Sequence, residues 1–326
     1  MQSGKIINDP VFGFINIPKG LIMEVVTHPT MQRLHRIKQL GLSSMVYPGA
    51  QHTRFQHSLG AFFLMTEAIQ SLRGKGVEIN NDEAESVKLA ILLHDVGHGP
   101  FSHVLESTIA PGVHHEEISL LLMERMNREL GGRLDLAIRS YRDEYEKRFL
   151  HQLVSSQLDM DRLDYLRRDS FYTGVTEGNI GSARIIKMLD VKDDHLVVES
   201  KGIYSIENFL TARRLMYWQV YLHHTSVAAE QVLIKILTRA KQLTAKGIDL
   251  FASPALKYFL MQNTLLDGKT IRSTLLAHYA ALDDSDLLSA IKAWMSSEDK
   301  VLNVLCECFT HRQLFKGKLL EEPLSA

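Results

Sequence analysis

The chain has 326 residues, 45% of them hydrophobic, with 37 lysines and arginines against 38 aspartates and glutamates. That is enough apolar material for a sizeable core, and it leaves no positive excess to hold a long nucleic acid through its phosphates. Cys306 and Cys308 are too few for a disulfide framework, and no CxxC pair is present to build a structural zinc site.

In chain order, "KIINDPVFGFINIP" reads as extended. Its predecessor "MQSGKIINDP" lacks the apolar core of a secretion signal, and no uninterrupted apolar stretch reaches membrane-spanning length, so the expected location is the cytoplasm. Apolar residues then recur at helical spacing in "MQRLHRIKQLG", "HSLGAFFLMTEAIQSLRG" and "EISLLLMERMNREL", which predicts core-facing helices. "NNDEAESVKLAILLH" opens with Asp82 and Glu85 in the capping-box relation and continues apolar on nearly all sides, as a central helix does. "HLVVES" and "GIYSI" flank Lys201 and Gly202 and predict a small β-hairpin near residues 195–206. Helices resume at about Glu207. The expected fold class is therefore all-α, with a short N-terminal extended segment and one small hairpin. With no repeat or low-complexity linker, the simplest division is a core over residues 1–240 and a helical C-terminal extension over 241–326.

Histidine is the outlier. Of 15 copies, seven (His52, His57, His94, His98, His103, His114 and His115) fall in the short region from His52 to His115. Neutral imidazoles and carboxylates together suit a divalent ion such as Mn, Fe, Ni, Zn or Mg. His57, His94 and Asp95 supply three ligands if their helices meet. His94 and Asp95 are adjacent, so their side chains diverge by about 100° within a helix, but at a helix end both can turn toward one ion. A fourth ligand must come from elsewhere, and "SSQLDMDRLDYLRRD" offers Asp159, Asp161, Asp164 and Asp169. Composition alone favours a solvated amphipathic helix there, with its acids facing outward.

"HTRFQHSLG", "HDVGHGPFSH", "HHEEIS" and "DMDRLDYLRRD", in this order, resemble the HD-domain phosphohydrolases, most closely the deoxynucleoside triphosphate triphosphohydrolase branch. The resemblance runs from about Asp9 to about His224 and fades beyond Lys241. It implies the mainly helical HD-domain fold and a site for one divalent ion held by His57, His94, Asp95 and Asp161. Such an ion lowers the pKa of its water toward neutrality, giving a hydroxide nucleophile, and draws charge from phosphoryl oxygens.

The resemblance further implies a proton donor and its support at His103, Glu106 and His115. His103 and Glu106 are three apart, so on one helix the carboxylate can orient the imidazole. Substrate contacts are implied at Gln39, Arg54, His98, Arg162, Tyr165, Asp169, Arg213 and Tyr221, with arginines on phosphates, Gln39 on the deoxyribose side, tyrosines enclosing the sugar and Asp169 on its 3′-hydroxyl. By their position alone, Arg213 could be a surface charge and Tyr221 a core residue. Glu106 and Arg162 stand where a vertebrate member has aspartate and lysine. Thr27 and His35 replace the aspartate and arginine through which that member binds an activating guanine nucleotide.

The implied reaction is hydrolysis of a deoxynucleoside triphosphate at the α-phosphorus, giving deoxynucleoside and tripolyphosphate. The implied partners are a nucleotide substrate and further copies of the chain in a dimer or tetramer. Two alternatives compete: an HD-type phosphomonoesterase or nucleotidase on another small phosphorylated substrate, and a catalytically weak nucleotide-binding assembly module.

Overall fold

The computed structural model describes residues 4–101, 104, 105, 108, 114–261, 266, 267, 270, 271 and 273–316. These residues are mainly helical, with three short antiparallel strand pairs among them. They group into two compact units. The first comprises described residues within 1–35, 52–98 and 115–216, and the second those within 36–51, 99–114 and 217–326. No helix among the described residues is long and apolar enough to cross a membrane.

The first unit opens with a hairpin. β1 (Lys5–Asp9) pairs with β2 (Gly13–Ile17) in the register Lys5 to Ile17 and Asp9 to Gly13. Asp9 Oδ1 accepts the N–H groups of Val11 (3.0 Å) and Phe12 (2.9 Å), and Gly13 completes the reversal at φ 79°. Alternation buries Ile15 and Ile17 and leaves Ile6 and Phe14 exposed. α1 (Leu21–Thr27) and α2 (Pro29–Gln32) follow. "MQRLHRIKQLG" does not form one helix: α2 tightens into a 3-10 turn at Arg33–Arg36, and the i, i+3 spacing of the buried Met31 and Leu34 satisfies the apolar pattern there.

α3 (Arg54–Gly74) starts at a capping box between Thr53 and Gln56, and α4 (Asn81–Leu93) at another. The second box is formed by Asn80 and Glu83 rather than Asp82 and Glu85: Asn80 Oδ1 accepts Glu83 N–H at 2.9 Å, and Glu83 Oε2 accepts Asn80 N–H at 2.8 Å. α5 (His115–Glu129), α6 (Asp135–Tyr141), α7 (Arg148–Val154), α8 (Met160–Thr173) and α9 (Ser182–Met188) complete the helical body, with α3 packed against both α4 and α8.

A small hairpin is present, one strand earlier than its predicted partner. β3 (Leu189–Lys192) pairs with β4 (His195–Val198) around Asp193 and Asp194, both at positive φ (50° and 60°), as the tightest hairpin turns require. "GIYSI" is instead the start of α10 (Ile203–Met216). Gly202 sits where an added Cβ would lie 2.9 Å from both Met188 and Val198, so close packing rather than strand pairing accounts for that glycine.

In the second unit, a π-helical turn (Tyr217–Tyr221) leads into α11 (His224–Ala245), which runs unbroken through residue 240. α12 (Pro254–Met261), the two-residue strands β5 (Leu266–Asp267) and β6 (Thr270–Ile271), α13 (Ser273–Ala281), α14 (Asp284–Trp294) and α15 (Lys300–Thr310) follow. Residues far earlier in the chain belong to this unit: Arg36 Nε donates to Asp283 Oδ2 at 2.5 Å, and the Tyr47 hydroxyl donates to the Gln219 carbonyl.

Glu83 carries a testable part of the first unit's stability. Its carboxylate also accepts from the Tyr145 hydroxyl (2.8 Å) and Lys147 Nζ (3.0 Å). Burial opposes its charge, but the Asn80 N–H, Lys147 and Tyr145 outweigh that cost and hold its pKa below the ordinary 4.5. The sign follows: this stabilisation is fully present above the ordinary value and is lost as pH falls through the depressed one. Glu83→Gln is expected to cost about 1–2 kcal/mol at pH 7. The gap to wild type should narrow near pH 3.5, measured by urea unfolding at both pH values.

Candidate metal centre and active site

Three helices bring the site together in the first unit. His57 lies in the first turn of α3, His94 occupies the C-cap of α4 with Asp95 just beyond it, and Asp161 projects from the first turn of α8. His57 Nδ1–H donates to Asp164 Oδ2 at 2.7 Å, and His94 Nδ1–H donates to the Ile91 carbonyl at 2.6 Å. Each bond fixes a tautomer and turns the lone pair of Nε2 inward. The two Nε2 atoms lie 3.2 Å apart. Asp161 Oδ1 is 3.1 Å from the first and 3.5 Å from the second. Asp95 approaches the same atoms at 3.7 Å and 3.4 Å.

This donor set fits a cation. Ligand atoms about 3 Å apart are what bonds of about 2.1 Å at right angles require. Two imidazole lone pairs facing each other repel unless a positive charge lies between them. The electrostatics say the same. Burial disfavours charge on His57 most strongly, yet hydrogen bonds that it donates to Asp161 and Asp164 overcome it and push its pKa up to about 10, so a proton stands in for a cation. His94 is likewise raised by Asp95 and Asp161 against the effect of burial. Burial works to raise Asp95, but His94, His98 and Arg54 hold it well below the usual carboxylate range. Asp161 is held low against burial by hydrogen bonds from His57 and His94.

Arg54 and His98 lie against this cluster. Arg54 Nη1 donates to Asp95 Oδ2 at 2.6 Å. His98 Nε2 lies 3.3 Å from Asp95 Oδ1, and its ring stacks on His115 with centroids 3.9 Å apart. Burial and the Arg54 charge push His98 down to about 3 against the pull of Asp95, so it is a neutral hydrogen-bonding group. Arg162 turns back to Asp159, the buried N-cap of α8, whose carboxyl is pushed up to about 6 by burial and by Asp161. Tyr165 is half-buried on the same helix. Asp169 is buried and paired with His52 Nε2 at 2.7 Å. Arg213 Nη1 donates to Gln157 Oε1 at 3.1 Å. Gln39 and Tyr221 belong to the second unit. His103 and Glu106 lie outside the described residues. Thr27 bonds back to the Met23 carbonyl at 2.9 Å, and His35 stacks on Phe55 with centroids 3.7 Å apart.

The solvated reading of "DMDRLDYLRRD" does not hold. Asp159, Asp164, Arg168 and Asp169 are all at most 1% exposed, and the acidic face of α8 turns inward. Four residues have supporting roles that the sequence did not assign to them. Asp164 orients His57; Arg168 spans Asp164 and Asp9; His52 holds Asp169. Ser119 accepts the Gly97 N–H at 2.9 Å and donates to the His94 carbonyl at 2.8 Å, bracing the turn after α4 against α5. Gly60 lets α8 come close: an added Cβ would lie 1.9 Å from Asp164 Oδ1 and 2.2 Å from Arg168 Nη2. The available signal was spacing, since Asp161, Asp164 and Arg168 share one helical face.

Known proteins similar to this chain cover the same segments. The HD domain model matches residues 54–169, and the HD associated region matches 180–253. The uncharacterized protein YwfO of Bacillus subtilis is 35% identical over 97% of this chain, which spans 72% of its length. The deoxynucleoside triphosphate triphosphohydrolase SAMHD1 homolog of Dictyostelium discoideum is 31% identical over 74% of this chain, which spans half of its length. A crystal structure of a phosphohydrolase from Bacteroides thetaiotaomicron superposes with a TM-score of 0.97 at 67% identity, covering 98% of this chain and 80% of that one. From these matches, the chain belongs to the HD-domain phosphohydrolase superfamily, near the deoxynucleoside triphosphate triphosphohydrolase branch.

Proposed function

We propose that this HD-domain hydrolase cleaves deoxynucleoside triphosphates at the α-phosphorus, releasing deoxynucleoside and tripolyphosphate. The observation that carries the reading is the direct bond between Arg54 and Asp95: a guanidinium sits against a carboxylate that also faces both imidazoles. Such a pairing supports reading Arg54 as a phosphate-matching cation beside a metal centre. His57, His94, Asp95 and Asp161 would hold one divalent ion, which when bound acidifies water and draws charge from phosphoryl oxygens.

The chain's own groups supply the rest. Arg54, with Arg162 and Arg213, orients the triphosphate. His98, kept neutral, offers a hydrogen bond to a phosphate oxygen without competing as an acid. By the motif resemblance, the proton for the departing 5′-oxygen comes from His103, supported by Glu106 and by His115, whose ring stacks on His98. Asp169, fixed by His52, is the group for the sugar 3′-hydroxyl, with Tyr165 on the same helix against the deoxyribose. Support for the substrate class comes from the triphosphohydrolase relatives. The acting form is proposed to be a cytoplasmic dimer or tetramer.

Incubating the purified protein with Mn²⁺ and each deoxynucleoside triphosphate, alone and in pairs, should yield tripolyphosphate on separation of the phosphorus products. No product from any triphosphate, with inorganic phosphate released from a nucleoside monophosphate, would identify a phosphomonoesterase instead.

Two substitutions separate metal holding from proton transfer. Asp161→Asn is expected to lower bound metal and turnover together. His103→Ala should keep its metal and lose about 10²- to 10⁴-fold in kcat. Metal content by elemental analysis beside steady-state rates checks both. Wild-type turnover in His103→Ala would favour a weakly catalytic assembly module.

A further inference from the structure

We propose that Asp9 and Arg168 are positioning residues for His57, so that the turn joining β1 to β2 sets the affinity of the site for its divalent ion. The inference rests on reading His57 as a metal ligand. The path is continuous and made of charge-assisted hydrogen bonds. Arg168 Nη1 donates to Asp9 Oδ2 at 2.7 Å, and Nη2 to Asp9 Oδ1 at 3.3 Å. The same guanidinium donates from Nε to Asp164 Oδ2 and from Nη2 to Asp164 Oδ1, both at 3.0 Å. Asp164 Oδ2 then receives His57 Nδ1–H at 2.7 Å.

No joint in this path is loose. Arg168 and Asp164 are fully buried and Asp9 is 7% exposed. Asp9 is fixed by the N–H groups of Val11 and Phe12 from its own turn, and the Phe12 ring lies 5.6 Å from the Arg168 guanidinium carbon. The turn thus grips Arg168 twice, by a carboxylate and by an aromatic face. On the other side, Gly60 leaves Asp164 and Arg168 only the space they occupy. Because the guanidinium is planar and rigid, a shift of the turn must rotate Asp164 and with it the imidazole.

The electronic effect has the same sign as the geometric one. Asp9 shares the positive charge of Arg168, which leaves Asp164 a stronger acceptor for His57 Nδ1–H. A stronger acceptor there makes Nε2 a better donor to a metal. Removing the Asp9 charge gives Arg168 wholly to Asp164, and both orientation and donor strength decline.

The test uses the full chain stripped with EDTA, its Mn²⁺ dissociation constant measured by calorimetry, and its unfolding followed without metal. Asp9→Asn is expected to weaken Mn²⁺ binding about tenfold, the lower end of what loss of an outer partner costs. Phe12→Leu, which keeps the carboxylate and removes the ring, is expected to weaken it about two- to fivefold. In both, the Mn²⁺ concentration needed for half-maximal turnover should rise by the same factor, with a smaller change in kcat at saturating metal. A folded Asp9→Asn protein with the wild-type dissociation constant would overturn the proposal. If that variant does not fold, an unchanged constant in Phe12→Leu overturns it instead. Wild type that binds Mn²⁺ but hydrolyses no nucleotide would remove the functional reading and leave this inference standing. Wild type that takes up no divalent ion would overturn both.

Discussion

An imidazole with no solvent exposure, held at Nδ1 by an equally buried carboxylate, is the constraint around which the first unit is arranged. His57 can face a cation only if Asp164 accepts its other proton, which requires α8 to lie close against α3. That approach works because Gly60 has no side chain to obstruct it. Asp164 can be buried as an anion only because Arg168 lies one turn further along α8, and Arg168 in turn needs a second carboxylate, which Asp9 supplies from the N-terminal turn. The ends of α4 and α8 then complete the cluster with His94, Asp95 and Asp161. Helix ends suit this role because their side chains can converge on a point beyond the last turn rather than spread around a cylinder.

The sequence carried much of this, unevenly. Histidine clustering pointed to His57, His94 and Asp95 without help, since so many imidazoles in one short region have no ordinary surface explanation. Asp161 emerged only from the motif resemblance, because hydropathy cannot tell an inward acid from a solvated one. The information that turns α8 around lies in His52, His57 and Asp9, each more than a hundred residues away. The α4 capping box shows a similar limit. Asn80 with Glu83 and Asp82 with Glu85 both have the required spacing, and the choice falls where Tyr145 and Lys147 can reach the glutamate. "GIYSI" has strand composition and forms helix, whereas two consecutive aspartates at positive φ place the hairpin turn earlier. The second unit draws on described residues within 36–51, 99–114 and 217–326, an assembly for which composition and periodicity offer no signal.

Charge counting inside the cluster gives a further reason for the kind of ion it suits. Among the described residues, the connected network contains the carboxylates of Asp9, Asp95, Asp161 and Asp164 and the guanidiniums of Arg54 and Arg168. With the imidazoles of His57, His94 and His98 neutral, four negative groups against two positive ones leave two negative charges. In a buried setting each uncompensated charge costs several kcal/mol, so a doubly positive partner would balance the network. A proton on His57 is a partial substitute, which is why its pKa is driven up to about 10 despite complete burial. Charge balance selects a divalent ion but does not choose among them. The imidazole nitrogens of His57 and His94 with the carboxylate of Asp161 make a mixed set that could hold any of several divalent ions, Mn, Fe, Ni, Zn or Mg among them.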